Sequence, residues 1–513
     1  MAMFEQRLKV ARQRIDNIWS SIHATYGVLV DDLSQARSMQ FMRYVIVWLM
    51  RLATQQNVPA ETVRLPLPEA QADVFKVLPE YFLEDIVDNF KFITGNIPHI
   101  ITPQQAEEIM QICIVFLRSS EYVKNPGVKS GLVTILFYGS RQLPSRPNGV
   151  LGDLLIGSSF ANKHLFHALM KFYIEAEFTG SHAQFFDKFN IRYEIFQVIK
   201  CIWRNTLYRE NLAREASSNT DFFVQFVNLL VNDVTFVLDE SLGAFVKIHD
   251  LSKELLDQAL MAGLTEEQRK EKQELLDDNK GKAKSYMQLT TETMEMLKLF
   301  SESLADAFTM PEIVQRLTDM LDYNLDSMVG PKSSNLRVDN AGEYGFNPRA
   351  LLADILTVYC NLSGKQRFIE AIAKDERSYK PGNFTKAHDI MKRFALKSPD
   401  ELRVWEKLSK DVAEARAAEE EEEADFEDAP DEFMDPLMAS LMVDPVILPM
   451  SKAVMDRSTI RSHLLSDPND PYNRAPLKIE DVIPATELKE KIEAWKASKK
   501  SARQAAKMDT SEG

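Results

Sequence analysis

The sequence predicts an all-α protein, an irregular helical solenoid, that ends in a small α+β module. Apolar residues follow helical spacing almost throughout residues 4–415, and strand-like alternation bounded by turns is nearly absent there. Helices packed on helices over about 400 residues usually form a solenoid rather than one bundle. No fixed sequence period is present, so we expect irregular repeats. The module is indicated by an abrupt change in composition after the acidic run at 419–435.

Bulk composition excludes several functional classes. The chain has 513 residues and a net charge of −15, which argues against a nucleic-acid backbone as the main partner. The most apolar window, FMRYVIVWLM at 41–50, is interrupted by Arg43 and is shorter than the ~20 residues that span a bilayer. It is therefore interpreted as a buried helix, and no membrane span is predicted. Charged residues at Glu5, Arg7 and Lys9, with no long apolar run after them, predict no signal peptide.

Capping signals mark helix starts within the solenoid region. Each begins with a side chain that can accept a hydrogen bond from an N–H of the first helical turn, and some add a glutamine or glutamate three residues later. The signals are TPQQ at 102–105, TEEQ at 265–268, NPRALLADI at 347–355 and SPDE at 398–401.

The acidic run separates the solenoid from the module. EEEEEADFEDAPDEFMD contains eleven acidic residues and no basic residue, so it repels itself and is typical of a solvated linker. The predicted divisions are a helical core at 1–418, an acidic linker at 419–430, the module at 431–500 and a disordered tail at 501–513.

The module has a different pattern of elements. LMVDPVILPMSKAVMDRSTI predicts two apolar stretches joined by a turn, and STIRSHLLSD predicts a short helix. A final helix from about Thr486 places Leu488, Ile492 and Trp495 on one face, where they can cover a small core. Between these helices, the prolines of DPYNRAPL at 470–477 favour a stiff loop that holds Tyr472.

Motifs of common enzyme chemistry are absent from the sequence. There is no phosphate-binding glycine loop, no dinucleotide fingerprint and no G-x-S-x-G elbow. Cys113, Cys201 and Cys360 lie in apolar contexts and form no C-x-x-C pair, so neither a disulfide framework nor a zinc site is indicated. We interpret them as buried, reduced core cysteines of an intracellular protein.

Two loops with apolar tips, 435–442 and 471–477, flank the short helix of the module. This is the plan of a RING finger, but residues 436–497 contain no cysteine and one histidine, too few for eight zinc ligands. Hydrogen bonds and ion pairs must then fix the loops, and we expect neither a metal nor a cofactor. The polar groups available are Asp444, Asp456, Arg457, Ser458, Asn469, Asp470, Asn473 and Arg474.

Residues 431–497 closely resemble a U-box, the zinc-free relative of the RING finger. The resemblance is carried by the motifs DPLM, LMVDPV, MDRSTI, HLL and DPYNRAPL. Among U-boxes, the segment most closely resembles those of the ubiquitin chain-elongation factors, the ubiquitin-fusion-degradation family often called E-four enzymes. The helical part resembles the armadillo-like helical solenoid of that family, for example in PEYFLEDIVDNF at 79–90, FVNLLVNDVTFVLDESL at 226–242 and EYGFNPRALLADI at 343–355.

The resemblance implies a U-box ubiquitin ligase that promotes ubiquitin transfer from a charged conjugating enzyme to lysine, without a covalent intermediate of its own. It would extend chains on proteins destined for the proteasome, including those of ER-associated degradation, in the cytoplasm and nucleus. The implied partners are a ubiquitin-conjugating enzyme, ubiquitin, ubiquitinated substrates and an AAA segregase ATPase. The helical part is about half of that usual for the family, which puts the docking of proteasome shuttle factors in doubt.

The resemblance also assigns roles to residues of the two loops. Arg474 matches the linchpin position, where an arginine bridges the conjugating enzyme and its ubiquitin. The matched contacts to the conjugating enzyme are Leu437, Met438, Pro471, Tyr472 and Pro476. The polar network expected to hold the module together is Asp444, Asp456, Arg457, Ser458 and Asn473. Two alternatives stay open: Leu437 could be a core residue, and Arg474 could pair internally with Asp470 or Asp467.

Two other functional classes remain possible. A non-catalytic helical scaffold or adaptor with a terminal interaction module is compatible with residues 1–415, although the motifs of 436–497 argue against it. A ligase that forms a thioester with ubiquitin is the other, and it is weakened by the lack of an exposed-looking cysteine motif. Acceleration of ubiquitin discharge onto free lysine distinguishes these classes.

Overall fold

The protein is helical almost throughout. A computed structural model describes residues 2–58, 63–178, 185–426, 429–464 and 467–511. In these residues, the only strands are three short ones near the C-terminus. The predicted fold class, all-α with a small C-terminal α+β module, is confirmed. The chain divides into two compact units, residues 1–215 and 216–513.

The first unit is built from stacked helices. Its helices are α1 Ala2–Leu29, α2 Asp32–Thr54, α3 Asp73–Val77, α4 Tyr81–Asn96, α5 Pro103–Arg118, α6 Pro126–Ser140, α7 Gly152–Gly157, α8 Ser159–Glu175, α9 Phe185–Ile202 and α10 Thr206–Ser218, which crosses the boundary between the units. Helices two or three steps apart in the chain pack together: α2 with α4, α4 with α6, α6 with α9, and α5 with α8. This is the contact pattern expected of a solenoid.

The second unit begins with two long helices, α11 and α13, that pack along each other. Its helices before the module are α11 Thr220–Leu256, α12 Gln258–Ala262, α13 Glu266–Ser303, α14 Ala305–Phe308, α15 Pro311–Val329, α16 Pro348–Leu362, α17 Gln366–Lys374, α18 Pro381–Arg393 and α19 Pro399–Phe426. By length and composition α11 could cross a membrane, but 61% of its most apolar window is buried. Because α13 and α15 pack against it, α11 is a core helix of this unit.

The predicted capping signals lie at helix starts. Thr102 accepts a hydrogen bond from the N–H of Gln105 at 3.4 Å, and the Gln105 side chain accepts one from the N–H of Thr102 at 2.9 Å. The same reciprocal pair begins α13 and α19, and Asn347 caps α16. Each cap satisfies N–H groups that have no partner within the helix.

The module is a small three-stranded sheet with two helices, one between β2 and β3 and one after β3. Its elements are β1 Pro445–Ile447, β2 Val454–Asp456, α20 Arg457–Leu464, β3 Ile483–Pro484 and α21 Thr486–Ser511. The strand order is β2-β1-β3, and both pairings are antiparallel, with Val446 opposite Met455 and Pro484. The predicted turn between two apolar stretches is the β1–β2 hairpin.

Two buried clusters form the core of the module. One joins the sheet to α20 through Val446, Leu448, Met455, Ile460, Leu477 and Val482. The other lies under α21, where Ile492 is buried with Phe433 and Met442, and Leu488 and Trp495 pack against them. The apolar face predicted for the final helix therefore covers a small core.

The ends of two helices differ from the sequence prediction. The acidic linker predicted from residue 419 begins in helical conformation, because α19 continues to Phe426. The tail was expected to be disordered from residue 501, but α21 continues to Ser511. Glutamate is frequent in the first stretch, and alanine, lysine and arginine occur in the second; all four are strong helix formers.

Candidate functional site

The two loops of the module share one backbone fold. The first loop is residues 435–440 and the second loop is residues 470–475, with the sequences DPLMAS and DPYNRA. In each, the N–H of the aspartate donates to the carbonyl of the sixth residue, at 2.7 and 2.8 Å. The N–H of the fifth residue donates back to the aspartate carbonyl, at 2.8 Å in both. A single β-bridge closes each loop at equivalent flanking positions.

A buried carboxylate organises the first loop. Asp435 is 1% exposed. Its Oδ1 accepts hydrogen bonds from the N–H groups of Leu437 and Met438 at 2.8 and 3.0 Å, and its Oδ2 accepts one from Asp456 N–H at 2.7 Å. One carboxylate thus fixes the tip of the loop and ties it to the end of β2.

Asp470 does the same for the second loop and is also 1% exposed. Its Oδ1 accepts from the N–H of Tyr472 at 2.9 Å, and its Oδ2 accepts from the Ser451 hydroxyl at 2.7 Å. Burial alone would raise the pKa of Asp470, but these hydrogen bonds, led by the Ser451 hydroxyl, lower the pKa overall. The ionised form is therefore the one that the fold stabilises.

The tips of both loops present apolar side chains to solvent. Leu437 is 49% exposed, Met438 65% and Tyr472 47%. Pro471 is half-buried and Pro476 is exposed. Leu437 belongs to neither buried cluster of the module, so the structure gives no support to its interpretation as a core residue.

Arg474 occupies a strained backbone position. Its φ is +58°, and the equivalent residue of the first loop, Ala439, has a φ of +52°. The left-handed region costs a residue other than glycine about 1–2 kcal/mol relative to the right-handed region, and asparagine tolerates it better than arginine. Asn473, the adjacent residue, does not occupy it; its Oδ1 instead accepts from the N–H of Ala475 at 2.9 Å.

The Arg474 side chain is free to reach a partner molecule. It is exposed, and among the residues that the structure describes it makes no hydrogen bond or ion pair. Its two candidate internal partners bind elsewhere: Asp470 accepts from Ser451, and Asp467 accepts from Asn469 Nδ2 at 2.6 Å. The internal pairing considered from the sequence is therefore not observed.

A second set of hydrogen bonds joins the sheet to the helices. Asp456 accepts from the N–H groups of Val443, Asp444 and Ser458 and from the Ser458 hydroxyl, at 2.6–2.9 Å. Burial alone would raise the pKa of Asp456, but these hydrogen bonds, led by the Ser458 hydroxyl, lower it overall. The carboxylate thus holds the start of α20 against the residues that precede β1.

Asp444 connects α20 to α21. It accepts from Arg457 Nε at 2.6 Å and Lys489 Nζ at 2.9 Å. These hydrogen bonds, the one from Lys489 first, lower the pKa of Asp444. The structure therefore brings the predicted network residues together around β1, β2 and α20, whereas the contact of Asn473 is local to its loop.

Sequence reasoning missed the residues that fix the loops most directly. The sequence pattern indicates Asp435 only as part of an apolar-tipped loop and indicates no role for Ser451, or for Lys489 in its contact with Asp444. The signal was present as the repeat DPLMAS and DPYNRA, because an aspartate before a proline favours a turn in which its carboxylate accepts backbone N–H groups.

The three cysteines are poor candidates for a nucleophile. Cys113 is buried, and Cys201 and Cys360 are partly buried. Burial raises the pKa of all three thiols, that of Cys360 to about 11. A thiolate is the reactive form, so all three sites disfavour attack on a thioester. Within the described ranges, no three potential metal ligands among His, Cys, Asp and Glu lie close enough together to hold a metal ion.

The fold and the site define the class of this module: a RING-like domain, in which buried aspartates fix two apolar loops on either side of a helix. Comparison with known proteins agrees. The family model described as U-box domain matches residues 429–501, and the one described as ubiquitin elongating factor core matches residues 1–413. The chain belongs to the family of ubiquitin elongating factors that carry a U-box.

Several curated relatives match along most of the chain. "Ubiquitin conjugation factor E4" of Schizosaccharomyces pombe is 40% identical over 490 residues, covering 95% of this chain and 48% of the relative. "E4 ubiquitin-protein ligase UFD2" of Saccharomyces cerevisiae is 41% identical over 498 residues, covering 93% and 52%. "Probable ubiquitin conjugation factor E4" of Arabidopsis thaliana is 33% identical over 484 residues, covering 93% and 45%. The chain spans about half the length of these relatives.

Proposed function

We propose that this protein is a U-box ubiquitin ligase that extends polyubiquitin chains on proteins already marked with ubiquitin. It binds a ubiquitin-charged conjugating enzyme and promotes attack of a lysine amine on the thioester, without forming a covalent bond to ubiquitin itself. Family membership supports the proposal, and so do the names of two relatives, a ubiquitin conjugation factor and a ubiquitin-protein ligase.

The proposed binding site for the conjugating enzyme is the pair of loop tips. Leu437, Met438 and Tyr472 are exposed apolar side chains on backbone that buried carboxylates already hold in place. A binding surface that is ordered before it meets its partner loses less conformational entropy on association. Pro471, in the second loop, and Pro476, directly after it, restrict the backbone further. In the proposed site both prolines also contact the conjugating enzyme.

One observation carries the proposed mechanism: an exposed arginine, which has no partner among the described residues, is held in a left-handed conformation. Strain of this kind persists where the surrounding structure imposes it, and it is frequent at functional sites. A guanidinium presents several donors in a planar fork, so Arg474 can bridge carbonyl groups of the conjugating enzyme and of ubiquitin. Its contribution is to restrain the thioester in a reactive geometry, not to attack it.

Wider partners follow from the family resemblance and remain part of the proposal. They are ubiquitin, ubiquitinated substrates bound through the helical units, and an AAA segregase ATPase, and the setting is the cytoplasm and nucleus, including ER-associated degradation. The competing scaffold function requires no acceleration of ubiquitin transfer. A thioester-forming ligase requires a reactive thiolate, which the raised pKa values of the three cysteines disfavour.

The test is discharge of a ubiquitin-charged conjugating enzyme onto free lysine, with the full chain and with three variants of Arg474. Arg474→Ala is expected to bind the uncharged conjugating enzyme with unchanged affinity and to slow discharge by tenfold or more, because the bridge forms only when ubiquitin is attached. Arg474→Lys is expected to restore little, since an ammonium lacks the planar fork.

Arg474→Gly is the matched control for folding. Glycine adopts positive φ readily, so this variant relieves the backbone strain while it removes the guanidinium. It is expected to bind the uncharged enzyme normally and to discharge as slowly as Arg474→Ala. If either variant loses affinity and rate in parallel, Arg474 is a structural residue. If the full chain does not accelerate discharge at all, the scaffold function is correct, and a thiol-sensitive ubiquitin adduct would indicate the thioester class.

A further inference from the structure

An ion pair joins the module to the helices of the second unit. Arg461, on α20, places Nη1 2.8 Å from Glu312 Oε1 and Nη2 3.7 Å from Asp221 Oδ1. Glu312 lies in the first turn of α15 and Asp221 in the first turn of α11. We call these three residues the Arg461 bridge. Residues 461 and 312 are far apart in sequence, so the bridge fixes a long-range arrangement.

Of the two ion pairs in the bridge, the one between Arg461 and Glu312 is the stronger. The Glu312 side chain is only 14% exposed, whereas that of Asp221 is 94% exposed. A carboxylate at a helix N-terminus is stabilised by the N–H groups that point toward it, and partial burial limits screening by salt. Backbone packing of α20 against α15 accompanies the ion pair, and α21 packs against α19. The module therefore meets the helical part at two places.

The bridge is connected directly to the second loop. Ile460, the residue before Arg461, is fully buried in the core of the module, so α20 moves with that core. His463 Nε2 donates to the carbonyl of Asn469 at 3.0 Å, immediately before the second loop begins. A path of two contacts thus runs from α15 to the loop that carries Tyr472 and Arg474.

The docked arrangement leaves the proposed binding surface open. Leu437, Met438 and Tyr472 are 47–65% exposed in the structure in which α20 contacts α15. Contact between α20 and α15 therefore does not cover the loop tips, which excludes autoinhibition by burial of these residues. What the bridge can change is the direction in which the bound conjugating enzyme faces.

We propose that Arg461 is a positioning residue, which docks the U-box on the N-terminal turn of α15 and so sets the direction in which the charged conjugating enzyme faces a substrate held by the helical part. This proposal rests on the proposed function. Arg461 does not touch the thioester; it acts through α20 and the second loop. Fixing the direction raises the effective concentration of the thioester at the substrate, whereas free lysine reaches the thioester from any side.

The experiment compares Arg461→Glu, Glu312→Arg and the double charge-swapped variant in the full chain. The matched control is Arg403→Glu, which makes the same charge change at an exposed pair with Asp400 within α19. Either single variant should slow chain extension on a ubiquitinated substrate by about threefold or more, while discharge onto free lysine changes by less than twofold. The double variant should recover most of the extension rate, because the ion pair is remade with reversed charges.

Two further readouts separate docking from folding and from activity. Cleavage by a glutamate-specific protease between α19 and the U-box should be faster in both single variants and return toward the wild-type rate in the double variant. Affinity for the uncharged conjugating enzyme should stay unchanged, which shows that the U-box is folded.

The proposal is wrong if the single variants extend chains at the wild-type rate, if the double variant gives no recovery, or if affinity for the uncharged enzyme falls in the single variants. Failure of the wild-type chain to accelerate free-lysine discharge would refute the proposed function instead. In that case the protease readout still reports whether the bridge docks the U-box.

Discussion

Truncation of Leu437 gives a quantitative test of the proposed binding surface. Leu437 is 49% exposed in the free protein, so about half of its side chain remains to be removed from water when a partner binds. Leu437→Ala should weaken the binding of the conjugating enzyme without unfolding the module, because the loop backbone is held by Asp435 and not by this side chain.

The expected loss follows from the exposed fraction. Full burial of a leucine side chain contributes about 1.5–3 kcal/mol, so burial of the remaining half contributes about 0.7–1.5 kcal/mol. This corresponds to a threefold to twelvefold increase in Kd, at about 1.4 kcal/mol for each factor of ten. A loss of about 2 kcal/mol or more, roughly thirtyfold, would mean that the side chain fills a pocket at the centre of the interface.

Isothermal titration calorimetry with the uncharged conjugating enzyme measures this change. Ile483→Ala is the matched control, because Ile483 is an apolar residue with 47% exposure on β3, outside both loops. It should leave Kd unchanged within twofold. A Kd for Leu437→Ala within twofold of the wild-type value, or an equal loss in Ile483→Ala, would refute the assignment of the loop tips as the binding surface.

Two further predictions concern the carboxylates that hold the module. Asp435→Ala should increase hydrogen exchange at the N–H of Asp456 and weaken binding of the conjugating enzyme, because it removes the acceptor for three backbone donors. Unchanged exchange would show that the loop does not need this carboxylate. Acid should destabilise the U-box. Folding lowers the pKa values of Asp444, Asp456 and Asp470. The stability that these carboxylates contribute to the U-box is therefore complete above the unfolded pKa of about 3.9 and is lost as pH falls through the folded values. Hydrogen exchange of β1 and β2, corrected for intrinsic rates, measures this loss of stability. Equally slow exchange at pH 6 and pH 3 would contradict the prediction.

Local sequence signals predicted the helix starts and the small core well. Thr102 and Thr265 begin helices where their capping boxes indicated, since both partners of each box lie within four residues. Ile492 is buried beneath α21, as its spacing from Leu488 and Trp495 predicted. These features depend on the periodicity of one element and on neighbours close in sequence, which a single sequence displays directly.

Features that depend on distant residues were not predictable in the same way. Nothing near Arg461 in the sequence points to Glu312, because an ion pair between two elements has no local pattern. The half-buried state of Asp444 and its pairing with Lys489 likewise require the fold to bring α21 beside β1. The left-handed backbone of Arg474 follows from closure of the second loop and not from the preference of arginine itself.

The two equivalent loops are both held by hydrogen bonds to a buried carboxylate. In a structural zinc site, the bond of the metal to its ligands sets the backbone of the surrounding loops. Here the carboxylates of Asp435 and Asp470 gather N–H groups in the same places, and each loop closes through a left-handed residue. The left-handed residue is the small Ala439 in the first loop and Arg474 in the second. Both loops therefore present apolar side chains on the same backbone conformation, and only the second loop also presents a guanidinium. The strain at Arg474 is therefore sustained by Asp470, whose carbonyl accepts the Arg474 N–H at 2.8 Å. The proposed binding surface and the proposed role of Arg474 consequently depend on the same two buried carboxylates.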